Sequence, residues 1–287
     1  MNKFLIVTNQ DKDRDLRVTK EIQRYIISRG CQCHLAEPIV GTNPIETGYT
    51  DTSRLQKDVD CVLVLGGDGT FIQTARDFAG LNIPMVGVNL GTVGFLAAID
   101  VESLHDGLDA LIDGEYTVHN RILLDGAVYH QGECTQKSIA FNDVIVTRSG
   151  FSRIVELKIY VNNQLMDIYA ADGVIVSTPT GSTGYNLSAG GPVVFPETEM
   201  MIITPICPQS LSARSVVVSS KAKIRIEIGR RRKTQKEEAL VTYDGDTVWE
   251  LESSDTVEVR RSDLMVPIVT IREKSFCDIL RNKIKSI

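Results

Sequence analysis

The sequence has few of the features that mark secreted, membrane-spanning or disulfide-stabilised proteins. Its six cysteines are scattered without the regular spacing of a disulfide framework, so we expect reduced thiols and a cytoplasmic location. No apolar run approaches the roughly 20 residues that a membrane-spanning helix needs, which predicts a protein without a membrane partner. The first apolar run, Phe4 to Val7, is too short for the core of a signal peptide.

The chain also lacks the excess of basic residues that nucleic-acid-binding proteins carry. Its formal net charge is −6, and a negative surface repels a phosphate backbone, so we expect no nucleic-acid partner. The one basic cluster, residues 230–233, is interpreted as a solvated hairpin tip. Cys31, Cys33 and His34 lie too close together for a metal site and have no second pair of ligands, so we favour a strand there.

The first third of the chain alternates short apolar runs with amphipathic segments. With 287 residues, of which 43% are hydrophobic, the chain can form one large domain or two medium ones. The patterns predict strands over 3–8, 31–36, 61–65 and 84–88 and helices over 15–29, 71–79 and 101–113. Alternating strands and helices indicate an α/β domain with a mostly parallel sheet, whose ligands bind at the carboxyl ends of the strands.

Later in the chain the apolar residues follow a period of two, which is typical of half-buried strands. Val155, Leu157, Ile159 and Val161 alternate with polar residues, and the pair at 162–163 indicates a hairpin turn. Similar alternation near residues 224–228 and 257–259 predicts an all-β domain of sandwich type.

These patterns divide the chain into two predicted domains. Residues 1–115 form the α/β domain and residues 116–262 form the all-β domain. The last segment, 263–287, contains an amphipathic helix that Ser275 is expected to cap. A single helix cannot bury its apolar face alone, so we expect this C-terminal helix to return to the first domain.

The most informative stretch is the glycine turn from Gly66 to Thr70, which lies between a predicted strand and a predicted helix. This geometry points backbone N–H groups and a helix N-terminus at an anion such as a phosphate. The carboxylate of Asp68 does not help anion binding, so it is predicted to remove a proton from an attacking hydroxyl. The alternative is an ordinary Asp-Gly turn. A second glycine turn, residues 89–96, is expected at the same edge of the sheet.

A second polar segment, residues 172–191, follows a strand of the β domain. Seven hydroxyl-bearing residues lie between positions 177 and 188, together with several glycines. Such a loop offers donors, acceptors and the aromatic face of Tyr185 to a polar ring ligand. The alternative is a loop that only connects two strands.

These motifs together resemble the NAD kinases, and the resemblance covers nearly the whole chain. The motif around Asp68 is shared with diacylglycerol and sphingosine kinases, and 6-phosphofructokinases have a close relative of it. The pair Asn142-Asp143 and the segment 178–186, Thr-Pro-Thr-Gly-Ser-Thr-Gly-Tyr-Asn, are far more specific to the NAD kinases.

The resemblance implies a set of site residues. The expected NAD contacts are Asp68, Gly69, Asn142, Asp143, Arg153, Ala170, Asp172, Thr180, Thr183, Gly184, Tyr185, Asn186, Leu187, Ser188 and Asp246. The expected contacts with the phosphoryl donor are Gly66, Gly67 and Thr70.

The resemblance also implies the roles of these residues. Asp68 would be the general base for the adenosine 2′-hydroxyl of NAD, and NADP would be the product. Asn142 and Asp143 would hold the adenosine half, Asp172 would lie near the nicotinamide, and residues 180–188 would line the adenine pocket. The donor would be ATP, another nucleoside triphosphate or polyphosphate, carried with Mg²⁺. The protein would be a homodimer or homotetramer, with the NAD site near a subunit interface.

The sequence departs from the family pattern at four positions. Gln209 stands where a histidine is usual, so a positively charged phosphate contact would be weakened, and Asp246 replaces a glutamine. Gly184 replaces an alanine, and Ala170 stands where some relatives have an arginine linked to the choice between NAD and NADH. Two other functions stay open from the sequence: a lipid kinase of the diacylglycerol type, and a dinucleotide sensor without catalysis.

Overall fold

A computed structural model describes residues 1–37, 50–52, 55, 58–91, 94–150, 154–230, 238–271 and 275–284. Most of the segment between the predicted strands over 31–36 and 61–65, the basic residues 231–233 and Arg153 lie outside these ranges. The chain forms two compact units. The first comprises Met1–Arg121 with Met265–Ile287, and the second comprises Ile122–Leu264.

The first unit is an α/β domain. Its elements are β1 (Lys3–Thr8), α1 (Arg17–Ser28), β2 (Gln32–Leu35), β3 (Cys61–Gly66), α2 (Asp68–Asp77), β4 (Met85–Asn89), β5 (Ala97–Asp100) and α3 (Leu104–Asp113). The strands pair in parallel in the order β2-β1-β3-β4-β5. β3 is apolar and buried along its whole length because helices cover a parallel sheet on both faces.

The second unit consists mainly of antiparallel strands, of which the first begins and the last ends among residues of the first unit. They are β6 (Tyr116–His130), β7 (Glu133–Ala140), β8 (Asp143–Arg148), β9 (Val155–Val161), β10 (Gln164–Ala171), β11 (Gly173–Ser177), β12 (Met200–Ile206), β13 (Val216–Ser219), β14 (Lys223–Ile228), β15 (Glu238–Tyr243), β16 (Thr247–Glu252) and β17 (Thr256–Ile271). A short helix, α4 (Tyr185–Ser188), lies between β11 and β12. One sheet has the order β13-β12-β11-β8-β15-β16. In another, β10, β9, β14 and the first part of β17 are neighbours.

These two sheets share one aliphatic core, which makes the second unit a β-sandwich. Val144, Val174 and Val241 contribute to this core from the six-stranded sheet, and Ile159 and Ile226 contribute from the other. The alternation that predicted these strands therefore reflects one face turned to the core and one turned to solvent. The predicted turn at Asn162 and Asn163 is confirmed, and both residues have the positive φ that such a hairpin turn needs.

The chain ends in the first unit. The latter part of β17 pairs with β4 through Ile268 and Met85. The last helix, α5 (Phe276–Ile284), begins after Ser275, whose Oγ accepts a hydrogen bond from the Asp278 N–H at 3.2 Å. The ring of Phe276 lies 6.4 Å from that of Phe95. The predicted return of the C-terminal helix to the first domain is confirmed.

The starts of two helices lie three residues from the predicted positions. α2 begins at Asp68 rather than at residue 71, so the carboxylate belongs to the first turn of the helix instead of a preceding loop. α3 begins at Leu104, after a 3-10 turn at Val101–Ser103. All six cysteines are free. Among the described residues, none of the helices has both the length and the apolar composition needed to cross a membrane.

Candidate active site

Asp68 lies at the N-terminus of α2, directly after the central strand β3. Its Oδ2 accepts a hydrogen bond from the Phe95 N–H at 3.0 Å, and its Oδ1 accepts one from the Leu96 N–H at 3.3 Å. Two donors on one segment hold the carboxylate in a single orientation. Each oxygen keeps a further lone pair, so the group can still accept a proton from a ligand.

The second glycine turn supplies these donors, so the structure brings the two predicted glycine turns together. Asn89 ends β4, and its side chain bonds both the N–H and the carbonyl of Gly91. Gly94 lies against Asp68, and a Cβ at this position would overlap Asp68 Oδ1. The close approach of this backbone to the carboxylate therefore requires glycine.

The first glycine turn is closed by side chains outside the predicted set of site residues. The Nδ2 of Asn9 donates a hydrogen bond to Thr70 Oγ1 at 3.1 Å. A Cβ on Gly66 would lie 2.5 Å from the same oxygen, and a Cβ on Gly67 would lie 2.7 Å from Lys12 Nζ. The missed residues Asn9 and Lys12 follow the carboxyl end of β1, which is where ligand contacts are expected in a parallel sheet.

In the second unit, the segment Phe141–Asp143 is held from two sides. Its three backbone N–H groups donate to the carboxylate of Asp244, at 2.8 Å from Phe141, 2.7 Å from Asn142 and 3.0 Å from Asp143. The carbonyl of Asn142 accepts a hydrogen bond from the Thr178 N–H at 2.8 Å. The Oδ1 of Asn142 is buried and has no hydrogen-bond partner among the described residues. Because buried polar atoms normally have a hydrogen-bond partner, this oxygen is a candidate acceptor for a bound molecule.

The hydroxyl-rich loop folds as a 3-10 turn, Thr180–Thr183, followed by the short helix α4 (Tyr185–Ser188). Thr180 is buried, whereas the side chain of Tyr185 is 44% exposed. Asn186 is fully buried and bonds the Ser182 and Pro192 carbonyls and the Thr204 hydroxyl. Its side chain therefore holds the loop together, and the surfaces left for a ligand belong to its neighbours.

The remaining predicted site residues of the second unit lie at strand ends. The carboxylate of Asp172 accepts a hydrogen bond from Arg148 Nε at 2.7 Å. The Ala170 carbonyl accepts one from the Gln209 N–H at 2.9 Å, so Gln209 lies beside the end of β10. Asp246 is half-buried in the turn between β15 and β16, where its N–H donates to the Tyr243 carbonyl at 3.2 Å.

Asp143 has the most perturbed carboxyl group of the site. Burial, followed by the negative charge of Asp244, raises the pKa of Asp143 from 3.8 to about 7. Near neutral pH this carboxyl group is therefore partly protonated, and its protonated form donates a hydrogen bond.

This raised pKa predicts a pH-dependent stability. Between pH 4 and 7 the folded protein keeps a proton on Asp143 that the unfolded chain releases, so stability falls as pH rises through this range. The amide side chain of the Asp143→Asn variant cannot ionise, so the variant should not lose stability in this way as the pH rises. We expect the variant's unfolding free energy, relative to the parent's, to rise by about 1–4 kcal/mol between pH 5 and pH 8. Urea unfolding of both proteins at each pH measures the difference, and parallel pH profiles would contradict the assignment.

Comparison with known proteins identifies relatives over both units. The family described as "ATP-NAD kinase N-terminal domain" matches residues 4–116, and the "ATP-NAD kinase C-terminal domain" matches residues 141–271. An NAD kinase of Lachnoclostridium phytofermentans is 44% identical over 285 residues, which is 99% of each chain. An NAD kinase of Caldanaerobacter subterraneus subsp. tengcongensis is 37% identical over 284 residues, again 99% of each.

Two solved structures share the fold. A yeast NADH kinase complexed with NADH has a TM-score of 0.82 and 24% sequence identity, covering 100% of this chain and 88% of the other. An NAD kinase from Archaeoglobus fulgidus in complex with ATP has a TM-score of 0.73 and 22% identity, covering 99% of both. These likenesses confirm the predicted fold, an α/β domain followed by a β-sandwich.

Proposed function

The chain belongs to the NAD kinase family, and on that premise we propose how its residues transfer a phosphoryl group from ATP to NAD, giving NADP. The observation that carries the assignment of roles is the carboxylate of Asp68. It lies in the first turn of α2, among glycines that can cradle phosphates, and two backbone N–H groups fix its orientation.

In this proposal Asp68 is the general base. The adenosine 2′-hydroxyl gives its proton to an Asp68 oxygen while the hydroxyl oxygen forms a bond to the terminal phosphorus of the donor. The bond from that phosphorus to the leaving ADP oxygen breaks at the same time. A sugar hydroxyl that keeps its proton is a poor nucleophile. A positioned base that takes this proton typically contributes about 10²–10⁴-fold to the rate.

Gly66, Gly67 and Thr70 are proposed to hold the donor phosphates. The N-terminus of α2 and the turn before it present backbone N–H groups, and Lys12 Nζ adds positive charge beside Gly67. Within the described ranges, no three His, Cys, Asp or Glu side chains cluster closely enough to hold a metal ion. We propose that Mg²⁺ arrives on the donor phosphates, where it would neutralise part of their charge next to Asp68.

The adenosine half of NAD is proposed to bind in the second unit. The unpartnered Oδ1 of Asn142 suits the amino group of adenine, and Asp143 lies directly beside it in the chain. Thr180, Thr183, Gly184, Tyr185, Leu187 and Ser188 would line the pocket, with Asn186 holding the loop in shape.

The nicotinamide half is proposed to contact Asp172, with Ala170 and Asp246 as further contacts. Asp172 keeps one carboxylate oxygen beyond its bond to Arg148. Gly69 would touch the dinucleotide beside Asp68, and Arg153 completes the proposed set. Gln209, where the family has histidine, has its backbone N–H committed to Ala170, so only its neutral side chain is left for a phosphate.

Family membership removes the other two functions that the sequence left open. The matched family and the relatives are NAD kinases, so neither a lipid kinase nor a sensor without catalysis is proposed.

We further propose a cytoplasmic homodimer or homotetramer with the NAD site near a subunit interface. Sedimentation equilibrium with and without NAD tests the oligomer, and a purely monomeric, fully active enzyme would contradict it.

The function is tested by measuring NADP formation from NAD with ATP and Mg²⁺ in a coupled assay. Other nucleoside triphosphates and inorganic polyphosphate replace ATP in parallel reactions, NADH replaces NAD, and a chelator removes the metal. NADP formation that depends on both a donor and a divalent metal is the expected result. NAD binding without turnover, under every donor and metal condition, would contradict the assignment.

A specific prediction concerns the exposed ring of Tyr185. Removing one aromatic contact with the adenine should cost about 1–2 kcal/mol, so we expect Tyr185→Ala to raise the KM for NAD about 5- to 30-fold with little change in kcat. Tyr185→Phe keeps the ring and should behave like the parent enzyme. A normal KM in Tyr185→Ala would remove this residue from the pocket.

A further inference from the structure

Asp244 occupies an unusual position at the end of β15. It has a positive φ of 53° and is followed by Gly245, whose φ is 81°. In this conformation its carboxylate faces the start of β8 and accepts hydrogen bonds from three successive backbone N–H groups, those of Phe141, Asn142 and Asp143. The backbone N–H of Asp244 donates in return to the Asp143 carbonyl at 3.0 Å.

We propose that Asp244 is a positioning residue for adenine recognition, because its carboxylate fixes the Phe141–Asp143 backbone and so aims the Asn142 side chain at the base. The inference rests on the proposed adenine contact of Asn142. Asp244 itself does not need to touch the dinucleotide.

The opposite side of the same segment is also fixed. Thr178 Oγ1 donates to the Phe141 carbonyl at 2.8 Å, and the Thr178 N–H donates to the Asn142 carbonyl. A Cβ on Gly181 would overlap this Asn142 carbonyl. With its N–H groups bound on one side and its carbonyls on the other, the segment has little freedom. The buried Oδ1 of Asn142 is left as an acceptor with no partner in the part of the chain that the structure describes.

A role in the turn alone does not require aspartate at this position. Asparagine and glycine also adopt positive φ readily, and Asp-Gly, Asn-Gly and Gly-Gly all form hairpin turns. Only a carboxylate offers acceptors on both oxygens, because one end of an asparagine amide is an NH₂ donor that would face an N–H. Asp244→Asn therefore keeps the turn and breaks part of the three-bond contact.

The test compares two substrates that differ only at the base. NAD carries the adenine amino group, whereas nicotinamide hypoxanthine dinucleotide carries an oxygen in its place. If Asn142 accepts a bond from that amino group, the parent enzyme should prefer NAD by about 5- to 150-fold in kcat/KM. We expect Asp244→Asn to lower this preference at least about 3-fold, through a higher KM for NAD and with kcat and the KM for ATP little changed.

Two further variants keep the test decisive. Asp244→Gly removes the whole carboxylate while its backbone accepts positive φ without strain, so it replaces Asp244→Asn if that protein does not fold. Glu250→Gln, on an exposed position of the adjoining strand β16, is the matched control and should keep the parent's preference. Thermal unfolding of each variant identifies the folded proteins.

The outcomes separate this inference from the proposed function. A parent enzyme that makes no NADP contradicts the function itself. A parent that phosphorylates both dinucleotides equally well keeps the function but overturns the adenine contact and the inference with it. A folded Asp244 variant that keeps the full preference for NAD overturns the role of Asp244 alone, because a purely structural role would lower kcat/KM for both substrates equally.

Discussion

Asp68→Asn is expected to lower kcat by about 10²–10⁴-fold while NAD affinity stays within a few-fold of the parent value. The asparagine side chain has the same shape but cannot take the proton of the 2′-hydroxyl. One oxygen remains to accept a hydrogen bond from the Phe95 or Leu96 N–H, whereas the new NH₂ group faces the other N–H, so this variant also loses one of the two hydrogen bonds and its folding is checked by thermal unfolding. Steady-state turnover and NAD binding, measured on the same protein, provide the two readouts.

The expected loss in turnover is large enough to be separated from a structural effect. A fall of 10²–10⁴-fold corresponds to about 2.7–5.4 kcal/mol in the activation free energy. The loss of a negative charge at a helix N-terminus costs only about 0.3–1 kcal/mol. Asp106→Asn, in the first turn of α3 and exposed, is the matched control and should leave kcat unchanged. Unaltered turnover in Asp68→Asn would mean that another group accepts the proton.

The fold was predictable because its strands carry strong local patterns. β3 is continuously apolar because both faces of a parallel sheet are covered, and β9 alternates because only one of its faces meets the core. The glycine turn around Asp68 was predictable for a similar reason, since glycines between a strand and a helix leave a local signature. The start of α2 was placed too late because Gly69 and Thr70 show no apolar period before Phe71.

The supporting contacts of the site could not be predicted because they join segments far apart in the chain. Asp244 lies about a hundred residues from the backbone N–H groups that it binds, and Asp68 is bound by N–H groups of the second glycine turn. Asp244-Gly245 gave only a turn signal, and nothing in local spacing distinguishes a turn aspartate from one that accepts three hydrogen bonds. Lys12 and Asn9 could have been proposed as site residues from the sequence, because they follow a strand at the edge of the sheet where ligands bind.

The contact between Gly94 and Asp68 leads to the second prediction with a large effect. A methyl group on Gly94 would overlap the Asp68 carboxylate, so either the carboxylate or the backbone of the turn must move. Misplacing a reacting group by about 1 Å can cost about 10²-fold in rate, and we expect Gly94→Ala to lose at least that much in kcat. The added volume should also lower the unfolding free energy by about 1–3 kcal/mol.

Gly91 offers a matched control in the same turn. Among the described residues, a Cβ on Gly91 would meet no atom within 4 Å, and the φ of Gly91 is not positive, so Gly91→Ala should keep both kcat and stability close to the parent values. Turnover and urea unfolding of the two variants are compared side by side.

If Gly94→Ala folds and turns over normally, the carboxylate does not depend on this turn for its position. If both variants lose activity equally, the turn tolerates no side chain for a reason unrelated to Asp68. A loss confined to Gly94→Ala, with NAD binding retained, ties this glycine to the orientation of the base, because a Cβ at position 94 would overlap Asp68.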